Sequence, residues 1–184
     1  MTDDEQGEIR RSLHGDQEAF ESLVRRYQRM IYALTYRMSG SLAEAEDLTQ
    51  DVFVRAHQEL PGFRAESKFS SWLYRIAVNQ CLNWRKRAAR REQVHNDWYA
   101  ENGNDTTPDS TPDPALAQQV SEALQKIHPK QRAAIVLTTY DGLNHAEAAR
   151  VLGCSETTVS WRIFAARSKL KRLLKHAKTG GDHE

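Results

Sequence analysis

The chain has 184 residues, a formal net charge of +1 and 39% apolar residues, enough for one helical domain or two small ones. No apolar run is long enough to span a bilayer, and the acidic N-terminus does not resemble a signal peptide, so a cytoplasmic protein is expected. Cys81, Cys154 and the seven histidines lack metal-ligand spacing, so no metal, cofactor or disulfide is expected and both cysteines read as packing residues.

Helical periodicity dominates and strand signals are scarce. Phe20, Leu23, Val24, Tyr27, Ile31 and Leu34 recur at the spacing of one helix face. A second helix is predicted over 42–59, capped by Ser41 with Glu44. Its buried stripe is Ala45, Leu48, Val52, Phe53 and Ala56, and its outer face carries Glu44, Asp47, Gln50, Asp51 and Arg55. Pro61 and Gly62 end it. A loop over 63–68 leads to a third helix, from about 69 or 70 to about 90, with Trp72, Leu73, Ile76, Ala77 and Leu82 as its apolar positions.

Residues 102–114 hold three prolines and no large apolar side chain, the pattern of an extended, mobile linker. The expected architecture is therefore all-α. Two small helical domains, 8–91 and 114–177, are joined by a flexible acidic linker over 92–113.

The C-terminal stretch over 143–170 reads as a helix-turn-helix. Asn144 and Glu147 can cap a first helix, Gly153 can end it in the left-handed conformation, and Ser155 can cap the next. Val159, Ile163, Ala166 and Leu170 share one face of that second helix. Thr157, Thr158, Ser160, Trp161, Arg162 and Arg167 lie on the other, a composition suited to a DNA major groove.

Charge is segregated along the chain. Residues 67–91 carry seven cations and no carboxylate, 92–114 six carboxylates and no Lys or Arg, and 161–178 seven cations and no acid. Two basic blocks on a tether suggest two polyanion-binding surfaces. The first block interleaves aromatics with cations and amides: Phe69, Trp72, Tyr74, Arg75, Asn79, Asn83, Trp84, Arg85 and Lys86. Such a surface suits a single or locally melted strand, bases stacking on rings while cations follow phosphates. Trp72 fits this role or a place in the core equally well. Phe63, in the loop, is expected to be exposed, as a base-capturing ring must be.

The run from Ala45 to Ala56, then Phe63-Arg64, Phe69, the segment from Trp72 to Asn79, and the C-terminal helix-turn-helix resemble bacterial RNA polymerase sigma factors of the extracytoplasmic-function (ECF) type. The motifs occur in that family's order and cover nearly the whole chain. The resemblance implies an all-helical protein with sigma regions 2 and 4, which gives core polymerase its promoter specificity. It places Asp47, Leu48, Gln50 and Asp51 on the clamp helices of the polymerase β′ subunit. It places Phe63, Lys68, Phe69, Trp72, Arg75, Asn79, Asn83, Arg85 and Lys86 on the melted −10 strand. The −35 duplex falls to Ser155, Thr157, Thr158, Ser160, Trp161, Arg162, Phe164 and Arg167, with the β flap as region 4's polymerase contact. An anti-sigma factor is implied as a further partner, and no small-molecule substrate. The chain departs from the family pattern at Asn83, Ser160, Trp161 and Ala165, where relatives commonly carry Asp, a basic residue, Ser and Arg, so the promoter sequence cannot be carried over. Trp161 can meet a thymine methyl or a sugar, or pack toward the flap.

Two other classes compete. A free-standing helix-turn-helix regulator needs a sensing domain and normally a dimer seam, and neither pattern is visible. An enzyme acting on nucleic acid needs clustered carboxylates or a nucleophile with its base. The pair Asp47 and Asp51 lies on a helix face without a His or Lys partner, so no catalysis is expected.

Overall fold

The computed structural model describes residues 3–95 and 114–179. These form eight α-helices: α1 Asp3–Leu13, α2 Gln17–Ser39, α3 Leu42–Glu59, α4 Phe69–His95, α5 Pro114–Gln125, α6 Pro129–Ile135, α7 His145–Leu152 and α8 Glu156–Thr179. Among the described residues there is no strand, and no helix is long and apolar enough to cross a membrane. The tether expected over 92–113 begins inside α4, and its remainder, 96–113, lies outside the described residues.

Local chemistry sets the helix ends. The Asp16 carboxylate accepts from the Ala19 N–H at 3.1 Å to start α2. Gly40, at φ 80°, ends it by donating to the Tyr36 carbonyl. A Cβ on Gly40 would also stand 2.6 Å from Gln125 Cδ, so a side chain there would be strained by the left-handed backbone and would have to displace the Gln125 side chain. Ser41 caps α3, whose buried residues are the five read from its periodicity. Asn144 and Glu147 form the reciprocal capping box of α7, and Gly153 closes it in the left-handed conformation. Between α6 and α7, the wide turn Val136–Tyr140 has the Asp141 N–H bonded back to Val136 O at 3.2 Å, five residues away. Helix α1 was not legible in the periodicity. It is polar overall and is held on α2 by Tyr27 and Ser22, which donate to Glu5 and Glu8, and by Arg26, paired with Asp4 and Glu8.

The two expected units share one core. Leu73, Ile76, Ala77 and Val78 of α4 belong to the same buried cluster as Ala133 and Leu137 from α6 and its wide turn, Ala148 and Val151 of α7, and Val159 of α8. Polar contacts cross the same seam. Arg132 of α6, 1% exposed, donates to Met38 O at the end of α2, and also to Gln125 and Ile127 O beside it. No carboxylate is among these partners, and burial pulls the Arg132 pKa down to about 10. The Arg37 guanidinium stacks over the Tyr140 ring at 4.6 Å. Asp141 faces Tyr74, and burial pushes its carboxyl up to about 6 against the opposing influence of Arg37 and of the Tyr74 hydrogen bond.

Candidate functional site

The outer face of α3 presents Asp47, Gln50 and Asp51 to solvent, while Leu48 is buried and supports the helix from beneath. Val54, 59% exposed, lies on the same face one turn beyond Gln50 and Asp51. It escaped the sequence reading, although an apolar residue off the buried stripe was a usable signal. Asp47 and Asp51 also line a groove of about 570 Å³, whose other wall is Trp84, Arg87, Arg90 and Arg91 of α4. The outer face of α3 offers carboxylates and an exposed valine, and the facing wall of α4 adds arginines, together a surface for a partner helix carrying both signs of charge.

The loop over 63–68 and the start of α4 are arranged differently from the sequence expectation at Phe63 and Phe69, and they bury Trp72, for which two readings stood open. Phe69 is 1% exposed and fully in the core, with Tyr27, Phe63 and Trp72 around its ring at 5.2–5.6 Å. Trp72 is 8% exposed and packs in the core of the free chain. Phe63 is only half-exposed, its centroid 5.2 Å from that of Trp72. The physical reason is shared: neighbouring aromatic rings pack on one another, edge-on for Phe63 and Phe69 and tilted for the other pairs, and bury each other before any base arrives. The loop turns at Ala65, whose φ of 56° is uncommon for a residue with a Cβ.

The remaining candidates of this group stay on the surface. Arg75, Asn79, Asn83 and Lys86 are exposed along one stripe of α4, and Arg85 is partly covered beside Trp84. Lys68 is exposed and reaches Glu147 of α7, Nζ to Oε1, at 3.3 Å. Glu147 is held below its ordinary carboxylate range, first by the Asn144 N–H and then by Lys68. A cleft of about 400 Å³ lies between the two elements, lined by Phe63, Arg64, Trp72 and Arg75 on one side and Glu147 and Arg150 on the other.

The helix-turn-helix is built from α7 and α8. Ser155 caps α8, its Oγ accepting from the Thr158 N–H at 3.2 Å. Val159, Ile163 and Ala166 are buried on one side. Thr157, Ser160, Trp161, Phe164 and Arg167 form a continuous exposed face on the other, with Trp161 62% and Phe164 74% exposed. Thr158 and Arg162 lie on the flank of this face and are half-covered. Arg162 Nη1 turns back to Cys154 Sγ at 3.4 Å. Cys81 is a packing residue, buried, with its thiol pushed up to about 12 by that burial.

Comparison with known proteins fits this layout. Sigma-70 region 2 matches residues 23–91 and Sigma-70 region 4 matches residues 117–170. The chain is 38% identical over 168 residues to the ECF RNA polymerase sigma factor SigM of Mycobacterium tuberculosis, covering 90% of this chain and 82% of that one. The fold matches sigma factor RpoE of Bartonella quintana, solved with the anti-sigma factor NepR, at a TM-score of 0.73 and 27% identity, over 85% of this chain and 96% of that one. It also matches CnrH, solved with the cytosolic domain of CnrY, at a TM-score of 0.69 and 30% identity, over 95% of this chain and 99% of that one. Two helical units in the order region 2 then region 4, with an acidic helix face on the first and a helix-turn-helix in the second, place the chain among the ECF-type RNA polymerase sigma factors.

Proposed function

We propose that the protein binds core RNA polymerase and directs promoter-specific initiation. The outer face of α3 takes the β′ clamp helices through Asp47, Gln50, Asp51 and Val54. The loop over 63–68 and the exposed stripe of α4 hold the melted −10 strand, with Arg75, Asn79, Asn83 and Lys86 along its backbone and base edges. The exposed face of α8 enters the −35 major groove, and its unit meets the β flap. The functional units are 8–91 and 114–177, with 92–113 between them.

The observation that carries this reading is the coexistence, in one chain of this family, of an acidic helix face on α3 and two separate cationic faces on α4 and α8. A duplex reader alone needs only the last of these. The cleft against α7 must open before a strand can reach Phe63 and Trp72, so polymerase binding and separation of the two units are coupled steps. An anti-sigma factor that favours the closed arrangement is the proposed inhibitor; the sigma factor RpoE of Bartonella quintana was solved with such a partner. The protein acts where polymerase and promoter are, in the cytoplasm.

Run-off transcription with purified core polymerase on a library of promoter fragments tests the proposal. Defined start sites that appear only when the protein is added are expected. Duplex binding without initiation from any fragment would instead make the chain a plain regulator.

A further inference from the structure

The exposed face of α8 carries a hydroxyl whose proton is already in use. Ser160 donates its Oγ–H to the carbonyl of Glu156, one turn earlier, at 3.0 Å. The first residue of α7, His145, brings Nδ1 to 3.0 Å from the same Oγ. A serine hydroxyl has one proton and two lone pairs. With that proton on Glu156 O, Nδ1 must be the donor to Oγ, and a single lone pair is left over. Were the Ser160 proton to point at Nδ1 instead, the outward result would be the same: Oγ could only accept.

In the major groove the four bases differ in what they ask of such a group. Adenine N6 and cytosine N4 donate, whereas thymine O4 and guanine O6 and N7 accept. Ser160 is exposed midway along the face shared by Thr157, Trp161, Phe164 and Arg167, the face assigned above to the −35 duplex. We infer that Ser160 is an acceptor-only reader of that duplex, selecting adenine or cytosine over thymine or guanine at the base it faces, and that His145 is the positioning residue that keeps it so. This rests on the assignment of α8 to the −35 element. A serine free to rotate would accept or donate and would discriminate poorly. Here rotation costs the bond to Glu156 O, and the incoming bond to His145 must be broken or left bent. The expected selectivity is that of a single hydrogen bond, roughly three- to tenfold.

The test is promoter selection by the holoenzyme assembled from core polymerase and the full chain, using a template library randomised through the −35 region. The wild type is expected to enrich adenine or cytosine on one strand at one position. Ser160→Ala should lose the preference at that position alone and keep the rest of the profile. His145→Phe retains a ring of similar shape without Nδ1 and should relax the same position, while His145→Asn, which keeps an N–H near the place of Nδ1, should restore it. A merely structural role for His145 would instead lower initiation at all templates without moving the base preference, and would overturn the positioning role. An unchanged −35 profile in Ser160→Ala, or a lost preference that separated A·T and T·A pairs together from G·C and C·G pairs, with no dependence on which strand carries the amino base, would overturn the inference alone. A wild-type holoenzyme that initiates from no template would overturn the sigma-factor reading and this inference with it.

Discussion

Lys68 Nζ stands 3.3 Å from Glu147 Oε1, so a cation assigned to the −10 strand is neutralised by the carboxylate that caps the first helix of the helix-turn-helix. One carboxylate thus serves two ends: it accepts from the Asn144 N–H within its own unit and from Lys68 across the seam. Negatively charged DNA and Glu147 compete for the same ammonium group.

Glu147→Gln should therefore free Lys68 while keeping a side chain able to accept from Asn144. Affinity of the full chain for a single-stranded −10 oligonucleotide is expected to rise about two- to fivefold at low salt, with a steeper salt dependence. Stability should change little, because Lys68 is exposed and its pairing with Glu147 is screened by solvent. An oligonucleotide titration at two salt concentrations measures both; a salt slope identical to wild type would mean that Lys68 does not meet phosphate.

Arg132 should be far less tolerant. Arg132→Ala leaves Met38 O, Gln125 and Ile127 O without their buried donor and opens a cavity, for an expected loss of about 3 kcal/mol or more. Arg132→Lys keeps the charge but cannot span the same carbonyls with one ammonium, so about 1–2 kcal/mol should still be lost. Urea unfolding of both variants gives these values. A near-neutral Arg132→Lys would show that charge, and not the planar fork, holds the seam.

Asp141 predicts a pH dependence. Burial raises its folded-state pKa to about 6, above the roughly 3.9 of an unfolded aspartate. The folded chain then holds more protons than the unfolded one between these values, and stability falls as pH rises through that window. Above about pH 6 the loss from this group is complete, on the order of 2–3 kcal/mol. Asp141→Asn should thus be more stable than the wild type at about pH 7.5, with the advantage shrinking toward pH 4. A difference between the two proteins that stays constant across this range would assign the carboxyl an ordinary environment.

On α3, the double change Asp47→Ala and Asp51→Ala should weaken core-polymerase binding tenfold or more while altering stability by only about 0.5 kcal/mol, since both side chains are exposed. Val54→Lys should have a similar effect on binding by placing a charge at the apolar centre of the face. Competition for core polymerase against a reference sigma factor reads both. Full competitive strength in either variant would move the polymerase contact off this helix face.

Trp161 and Phe164 are open enough to be removed without cost to the fold. Trp161→Ala and Phe164→Ala should leave the unfolding midpoint nearly unchanged and reduce −35-dependent initiation by about three- to tenfold each, the scale of one lost apolar base contact. Run-off yields on templates with thymine replaced by uracil provide the sharper check. If Trp161 meets a thymine methyl, uracil at that site should lower the wild type to the level of Trp161→Ala; insensitivity at every position would point instead to the sugar or the flap.

Local patterns alone specified much of this protein. The buried stripe of α3, the caps at Ser41, Asn144, Gly153 and Ser155, and the exposed face of α8 depend on residues three or four apart, and the helix imposes that geometry by itself. The family motifs were legible for the same reason. What only the tertiary structure decided involves residues far apart in the chain. Phe69 and Trp72 became core because Phe63 and Tyr27 pack around them, Arg132 found Met38 O from another unit, and Lys68 found Glu147. Helix α1 gives the core only Ile9 and is otherwise mostly polar; it forms where Tyr27, Ser22 and Arg26 of α2 offer partners. Periodicity reports which face of a helix is buried; it carries no information about which other helix does the burying, because that choice rests on shape and partner groups brought together only when the chain folds.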